Sequence, residues 1–317
     1  MSVPRLALNW VICFSLAISC GMAQSPFAFT EVAPSAHANA AGGNLISYSK
    51  RDGLSFLQNP ALLDSTLKNQ LSVSYSPYFS GHYNSLSYVL PGKKSYTAGV
   101  FARALNFGKF VQTDDIGNVT GQFSVGNYDL GIGVAKSIER ISFGANLRLV
   151  NSLFAGYWSS AVALDCGGTY MIPEKGIHLS LVARNIGFSL SRSPFIENQL
   201  PFNLLVGMSI KPQFMPARFH IVLDQLSDWS SENKEKLTSG RKAFSHLALG
   251  ADIFFRENIY LTVSNNFGRS LNSNESHIFS GYGVGLTIDF KRASLGISNA
   301  ANPLLKNQTV FSLAYKF

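Results

Sequence analysis

The sequence predicts an all-β chain, a transmembrane antiparallel β-barrel of about 14 strands with a short N-terminal helical plug. Three observations predict it. Charged residues make up only 14% of the chain while hydrophobic residues reach 46%, against roughly 25% charge in a soluble domain. Behind the N-terminus no apolar run approaches the ~20 residues that a membrane helix needs. Instead, large apolar residues recur at every second position in segment after segment, which puts them on one face of a strand.

The N-terminus reads as a secretory signal over residues 1–23. Arg5 supplies the positive region, and Leu6 to Ser19 form an apolar stretch broken only by Asn9. Gly21-Met22-Ala23 is a small-x-small cleavage site, so the mature chain is expected to start at Gln24. An alternative is a lipoprotein signal with lipid on Cys20, although the position three before it is Ala17 rather than a large aliphatic residue. Cys13 and, with signal cleavage, Cys20 leave the chain, so Cys166 remains alone and no internal disulfide can form. Cys166 is placed on the lipid-facing side of its strand as a small apolar filler. The formal charge is +8 and the pI about 9.4. Export and the absence of a dense Lys/Arg run argue against nucleic acid as a partner. The phosphates of surface lipopolysaccharide, or plain solvent, are the expected surroundings of these cations.

Residues 24–50 form a Ser/Ala/Gly-rich arm, and "GLSFLQNPALLDSTL" has short helical spacing interrupted at Asn59-Pro60. Together 24–69 form the arm and plug, and 70–317 the barrel. Proline ends a helical turn and restrains the residue before it. Asn59, Pro60 and Ala61 are therefore the sharpest local motif, expected to bend a plug into the lumen. Candidate strands cover 70–78, 82–90, 95–106, 125–137, 140–152, 158–171, 176–188, 201–211, 217–226, 243–255, 258–266, 278–290, 292–299 and 308–317. The connections alternate. "PGKK", "SIER", "PEKG", "KPQFMP", "FREN" and "FKRA" are mostly tight polar turns, whereas Asn106 to Ser124, Ser189 to Leu200, Ser227 to Lys242 and Phe267 to His277 are longer. Short periplasmic turns opposite longer extracellular loops are a barrel's asymmetry, and they put both termini in the periplasm. In the last strand Phe311, Leu313, Tyr315 and Phe317 share one face. A chain ending on an aromatic residue in such a strand resembles the closing strand that outer-membrane insertion machinery reads.

Within strands the second face is polar. Ser142, Gly144, Asn146 and Arg148 oppose Ile141, Phe143, Ala145, Leu147 and Leu149. Reversing the faces would put Arg148 and Asp289 in lipid, at a cost of about 2–4 kcal/mol for such a cation at the midplane. The same logic gathers Arg103, Arg148, Asp165, Arg184, Asp224, Asp252 and Asp289 in the lumen, with His178, His220 and His246. Arg184 and Asp165 are expected near one level across the "PEKG" turn. Internal salt bridging is the expected use of these charges; a polar pore, or charges that hold a plug, is the alternative.

No catalytic residue is expected. Ser, His and Asp occur without a local nucleophile motif. No His/Cys/Asp spacing suggests a metal site, and no glycine loop precedes a helix to cradle a phosphate or cofactor. The alternating glycines 281, 283 and 285 suit tight packing inside a barrel.

A hatch carrying "NPALL" ahead of a fourteen-stranded barrel resembles the FadL-type superfamily of outer-membrane proteins. Within it the chain is most similar to the PorQ family of the PorV/PorQ group. The stretches that carry this are "GGNLIS", "QNPALLDSTLKNQLSVSYSPYFSG", "LNFGKFVQTDDIGNVTGQFSVGNYDLGIGVAKSI", "FGANLRLVNS" and "LVARNIGF", over much of 42–190. Downstream, "LPFNLLVGMSIK" and "FSHLALGADIF" keep the strand order, and the likeness thins in the loops and final strands. The resemblance implies a non-enzymatic part in the type IX secretion system of Bacteroidota. There the PorU sortase, PorV, PorQ and PorZ form the surface complex that attaches cargo to lipopolysaccharide, and PorQ holds PorZ. Loops 106–124 and 227–242 are the expected partner contacts. The other reading is a FadL-like transporter of hydrophobic small molecules, against which the polar lumen argues mildly. A general porin is a third, opposed by an intact plug.

Overall fold

The computed structural model describes residues 25–78, 81–92, 96–191, 199–228, 239–272, 281–302 and 306–317. The expected signal peptide, with Cys20, lies outside the described residues. Each expected strand is present: β1 (Gln70–Tyr78), β2 (Gly81–Val89), β3 (Tyr96–Thr113), β4 (Val119–Ile138), β5 (Ile141–Phe154), β6 (Tyr157–Ile172), β7 (Ile177–Ser189), β8 (Asn203–Ile210), β9 (Ala217–Leu223), β10 (Leu247–Arg256), β11 (Ile259–Asn266), β12 (Tyr282–Asp289), β13 (Ala293–Asn302) and β14 (Lys306–Lys316). They pair in sequence order, all antiparallel, and β1 closes on β14 from Gln70↔Lys316 to Tyr75↔Phe311. Closure leaves no sheet edge inside the membrane, where an unpaired backbone group has no water to satisfy it.

The outer face is apolar. Leu130, Ile132 and Val134 on β4, Leu147 on β5 and Leu181 on β7 are each more than half exposed. Phe311, Leu313, Tyr315 and Phe317 also face outward at the closing seam, and Cys166 on β6 is exposed as well. A continuous exposed apolar band of this kind is a lipid surface. The fold is that of an outer-membrane β-barrel.

The inner face is not uniformly polar, which corrects the expected polar lumen. Phe101, Leu105, Val150, Val182, Leu205 and Val222 point inward and are buried. They pack against residues 25–69, which fold inside the barrel as short pieces: a 3-10 turn Ala28–Glu31, helix α1 (Ala36–Ala40), and 3-10 turns Ser55–Leu57, Pro60–Leu62 and Ser65–Leu67. Leu54, Phe56, Leu57, Leu63 and Leu67 join Val89, Phe101 and Ala135 of the wall in one buried cluster. Phe27 and Phe29 join Tyr83, Leu105 and Val150 in another. The arm expected at 24–50 is thus a folded, buried segment from Ala33 to Ser47. Its small side chains are the reason: α1 lies against wall glycines, and a Cβ on Gly283 would meet the Ala40 carbonyl oxygen at 2.6 Å.

The largest departure from the expected strands is at 106–124, read as a loop. Here β3 and β4 continue pairing from Gly108↔Val125 to Thr113↔Val119. Beyond the strands, helices α2 (Ser239–Phe244) and α3 (Phe267–Asn272) lie in the connections that follow β9 and β11. Most of the expected contact loop 227–242 lies outside the described residues.

Candidate functional site: a pinned plug and a projecting hairpin

The NPA motif is a joint between plug and wall. The Asn59 side-chain oxygen accepts the Ala61 N–H at 2.9 Å, capping the turn that Pro60 opens. Its Nδ2 donates to the Ile46 carbonyl at 2.6 Å and to Thr169 Oγ1 on β6 at 3.1 Å. Proline suits the first position of a helical turn because it has no N–H to satisfy there. Gly144 and Gly167 leave the room: a Cβ on Gly144 would meet the Pro60 oxygen at 2.6 Å, and Gly167 abuts Asn59.

Four polar clusters pin the rest of the plug. In the first, Arg103 on β3 donates to Asp129 on β4 at 2.9 Å and to the Thr30 carbonyl in the plug at 2.9 Å. Arg148 on β5 reaches the same Asp129 at 3.2 Å and pairs with Asp165 on β6 at 3.1 Å. Asp165 also accepts the Asn185 N–H at 2.8 Å. In the second, Arg184 pairs with plug Glu31 at 2.7 Å and donates to Asn44 at 3.1 Å. Asn44 in turn donates to Asp224 at 2.6 Å. In the third, Asp252 on β10 takes Nε2 of plug His37 at 3.1 Å, Nε2 of His220 at 2.8 Å and the Thr262 hydroxyl at 2.7 Å. In the fourth, Asp289 pairs with plug Lys50 at 3.3 Å and accepts from Ser294 at 2.7 Å. Paired and hydrogen-bonded charges tolerate burial that a lone charge does not.

All seven charges assigned to the lumen therefore face inward, but their grouping differs from the expected one. Arg184 does not pair with Asp165, because β7 bulges at Arg184 and Asn185 opposite Asp165, and Asp165 accepts the Asn185 N–H instead. Arg184 turns to the plug instead. Asp129, the acid at the centre of the first cluster, was missed, although it alternates with Gly131 and Gly133 on the inward face of β4. Glu31 and Asn44 were missed because nothing in a loop's sequence says which wall residue it will meet. His246 Nδ1 donates to the Asp224 carbonyl at 2.8 Å, and His178 packs edge-on to Tyr48. His37, His220 and Asp252 also place three metal-capable atoms within 4.8 Å of one another, where the sequence suggested no such group. The two Nε2 atoms are turned to the carboxylate, so the cluster closes on itself as a plug-to-wall clamp.

The second element projects from the long-loop end. β2 pairs with β3 only as far as His82↔Asn106, and β5 with β4 only as far as Val125↔Phe154. Gly108–Thr113 and Val119–Ser124 thus pair only with each other among the described residues. A bulge at Asn106/Gly108 marks where this arm leaves the barrel; Gly108 has φ +80° and donates its N–H to the Asn106 side chain at 2.7 Å. Bulges at barrel rims re-aim a strand in this way. At the tip Asp114 Oδ1 accepts the N–H groups of Ile116 at 3.1 Å and Asn118 at 2.7 Å. These donors, the Asn118 N–H foremost, hold the Asp114 carboxyl below the usual carboxylate range. Val111, Ile116 and Val119 are more than half exposed; at the arm's base Phe110 stacks on Phe123, which meets Phe154 edge to face.

Comparison with solved structures gives the same barrel. The CymD monoaromatic hydrocarbon channel is similar at a TM-score of 0.57 and 15% identity, over 92% of this chain and 99% of that one. A deltaS2 mutant of the TodX monoaromatic hydrocarbon channel is similar at 0.50 and 14%, over 89% and 98%. A FadL homologue from Pseudomonas aeruginosa reaches 0.49 and 10%, over 89% and 98%. At these identities the likeness to the first two is one of fold alone, that of an outer-membrane β-barrel. No family model matches the chain, and no curated protein matches it in sequence.

Proposed function

We propose that this chain is a plugged, non-enzymatic outer-membrane barrel that anchors a surface partner through its β3–β4 arm. The observation that carries this reading is the arm's pair of strand edges, Gly108–Thr113 and Val119–Ser124, that are open among the described residues. Natural sheets cover or blunt such edges. An edge left open beside exposed apolar side chains suits an extended partner segment that adds a strand to it. The pinned plug supports the same reading, since a filled lumen leaves the rim and its arm as the working surface. In this orientation the short turns and both termini are periplasmic and the long loops extracellular.

The sequence resemblance supplies the partner's class. It makes the chain a type IX secretion component, holding a PorZ-like surface protein in a complex with the PorU sortase and PorV, beside lipopolysaccharide. The test is gentle detergent capture of the tagged barrel from native outer membranes, with and without residues 108–124 replaced by a two-residue turn. The full chain is expected to recover the surface partner, and the armless barrel to remain heat-modifiable and recover none. Equal recovery by both would overturn the arm's role.

A second reading, a FadL-like transporter of hydrophobic small molecules, draws on the two hydrocarbon channels whose fold the chain shares. Hydrocarbon uptake in a deletion strain separates the two. Normal uptake with cargo that retains its secretion signal fits the anchor; lost uptake with normal cargo fits the channel.

A further inference from the structure

Plug and wall meet at one buried carboxylate. His37 comes from α1 of the plug, His220 from β9 and Asp252 from β10, and all three are buried. Nε2 of His37 lies 3.1 Å from one oxygen of Asp252, and Nε2 of His220 lies 2.8 Å from the other. The two nitrogens and the carboxylate fall within 4.8 Å of one another. Two imidazoles and a carboxylate are a ligand set that zinc takes, and its bonds of about 2.0–2.2 Å put neighbouring ligand atoms about 3.3–3.6 Å apart in a tetrahedral site. The nitrogen–oxygen separations lie a few tenths of an ångström inside that spacing.

The outer contacts are those that a metal ligand uses. Nδ1 of His220 meets the Ser209 hydroxyl at 2.8 Å, and Ser209 in turn meets Ser47 of the plug. With the lone pair on Nε2, Nδ1 of His220 bears the proton and donates it to Ser209 Oγ, which fixes the ring for ligation. Nδ1 of His37 has no partner among the described residues, so no second bond sets which nitrogen of that ring bears the proton. The Thr262 hydroxyl donates to Asp252 at 2.7 Å, the support that a ligating carboxylate receives. Arg218, the cross-strand partner of Asp252, stacks on Tyr48 with its guanidinium 3.6 Å from the ring centroid, and the ion pairs printed for Asp252 are those with the two histidines.

We propose that His37, His220 and Asp252 form a site for a divalent transition-metal ion of the zinc class, which ties the plug to the wall. Imidazole nitrogen suits zinc, copper, iron and nickel alike, and zinc is the probe that fits a closed site without redox chemistry. Burial does not bar the ion. His37 belongs to the plug and the other two ligands to the wall, so the site comes together only as the plug seats, and the ion is taken up at that step, as structural zinc is taken up on folding. The inference does not depend on the surface-anchor reading.

The test uses the full chain with any purification tag removed. It is unfolded in urea with a chelator and refolded into detergent with zinc chloride or with magnesium chloride. Bound metal is counted after gel filtration, and the unfolding midpoint is measured for both preparations. The zinc-refolded chain is expected to retain about one zinc and to unfold at the higher midpoint. His37→Gln keeps an N–H donor for Asp252 but offers no ring nitrogen, so it preserves a hydrogen-bonded clamp and removes a metal ligand. It should lower zinc affinity by about a hundredfold or more, since loss of an outer partner alone costs about 10–100-fold, and its midpoint should no longer respond to zinc. Refolded parent without stoichiometric zinc, or His37→Gln holding as much zinc as the parent, overturns the proposal and leaves the cluster a hydrogen-bonded clamp only. Should His37→Gln not fold, His220→Gln replaces it, and zinc content equal to the parent's overturns the proposal in the same way.

Discussion

The strands β3 and β4 run through two environments, and the same alternation means different things in each. Inside the barrel, Phe101, Arg103 and Asp129 are buried against the plug while Val100, Leu130 and Ile132 face lipid. Every backbone edge there is paired, with β2 on one side and β5 on the other. Beyond the Asn106/Gly108 bulge the pair loses both neighbours and the plug, and Val111, Ile116 and Val119 stand exposed. The difference separates what holds the barrel from what the barrel presents. Inward residues of these strands pack against the plug, whereas residues of the arm have only each other and solvent among the described residues.

The largest expected effect lies at Asp129, where two arginines converge. Asp129→Asn leaves Arg103 and Arg148 buried with half their countercharge, and breaking such a pair costs about 3–5 kcal/mol. Urea unfolding in detergent should show a loss of that order, and Arg103→Met should restore part of it by removing the stranded cation. A variant as stable as the parent would mean that plug packing alone holds this wall.

That network also shows how far the sequence could be read. Strand positions were legible because period-two alternation repeats through the chain, and the inward charges followed from the cost of placing them in lipid. The pairings were not legible. Asp165 meets Arg148 rather than Arg184 because of a single bulge, and a bulge leaves little mark in one sequence. The plug was legible at Asn59-Pro60, where proline restricts the backbone, and illegible at 24–50. There the signal was a match of small residues across a long separation: Ala36 and Ala40 against Gly283, Gly285 and Gly296. The arm was read as a loop because its polar and glycine residues resemble loop composition, and only cross-strand pairing makes it a hairpin. His37 came to Asp252 without any local signal at all.

A smaller effect is expected at Gly133, on the plug side of β4. A Cβ there would meet the Phe56 ring at 3.0 Å, and overpacking a filled interior costs about 1–3 kcal/mol. Gly133→Val should therefore lower the unfolding midpoint less than Asp129→Asn does. Gly121→Val, on the arm, has open space apart from the Gln112 side chain at 3.7 Å and should leave the midpoint unchanged. Equal losses at the two glycines would erase the distinction between the embedded and projecting halves of the strand.

The smallest effect belongs to the tip of the arm. Asp114 lies in the turn at the end of the arm, and its depressed carboxyl pKa comes from N–H donors of the turn itself. A carboxyl whose pKa is lower in the folded turn than its ordinary value of about 3.9 stabilises that turn at any pH above the ordinary value. The contribution is lost as pH falls through the depressed one. Asp114→Ala should accordingly speed amide exchange in residues 115–118 at neutral pH and leave the barrel's unfolding midpoint untouched. The gap between parent and variant should close on acidification, because protonated Asp114 no longer holds its donors as a carboxylate. A gap that persists below the carboxyl's titration would assign the ordering of the tip to backbone pairing and Gly117, which has φ +89°. The tip would then hold its shape without help from the carboxylate that caps its turn.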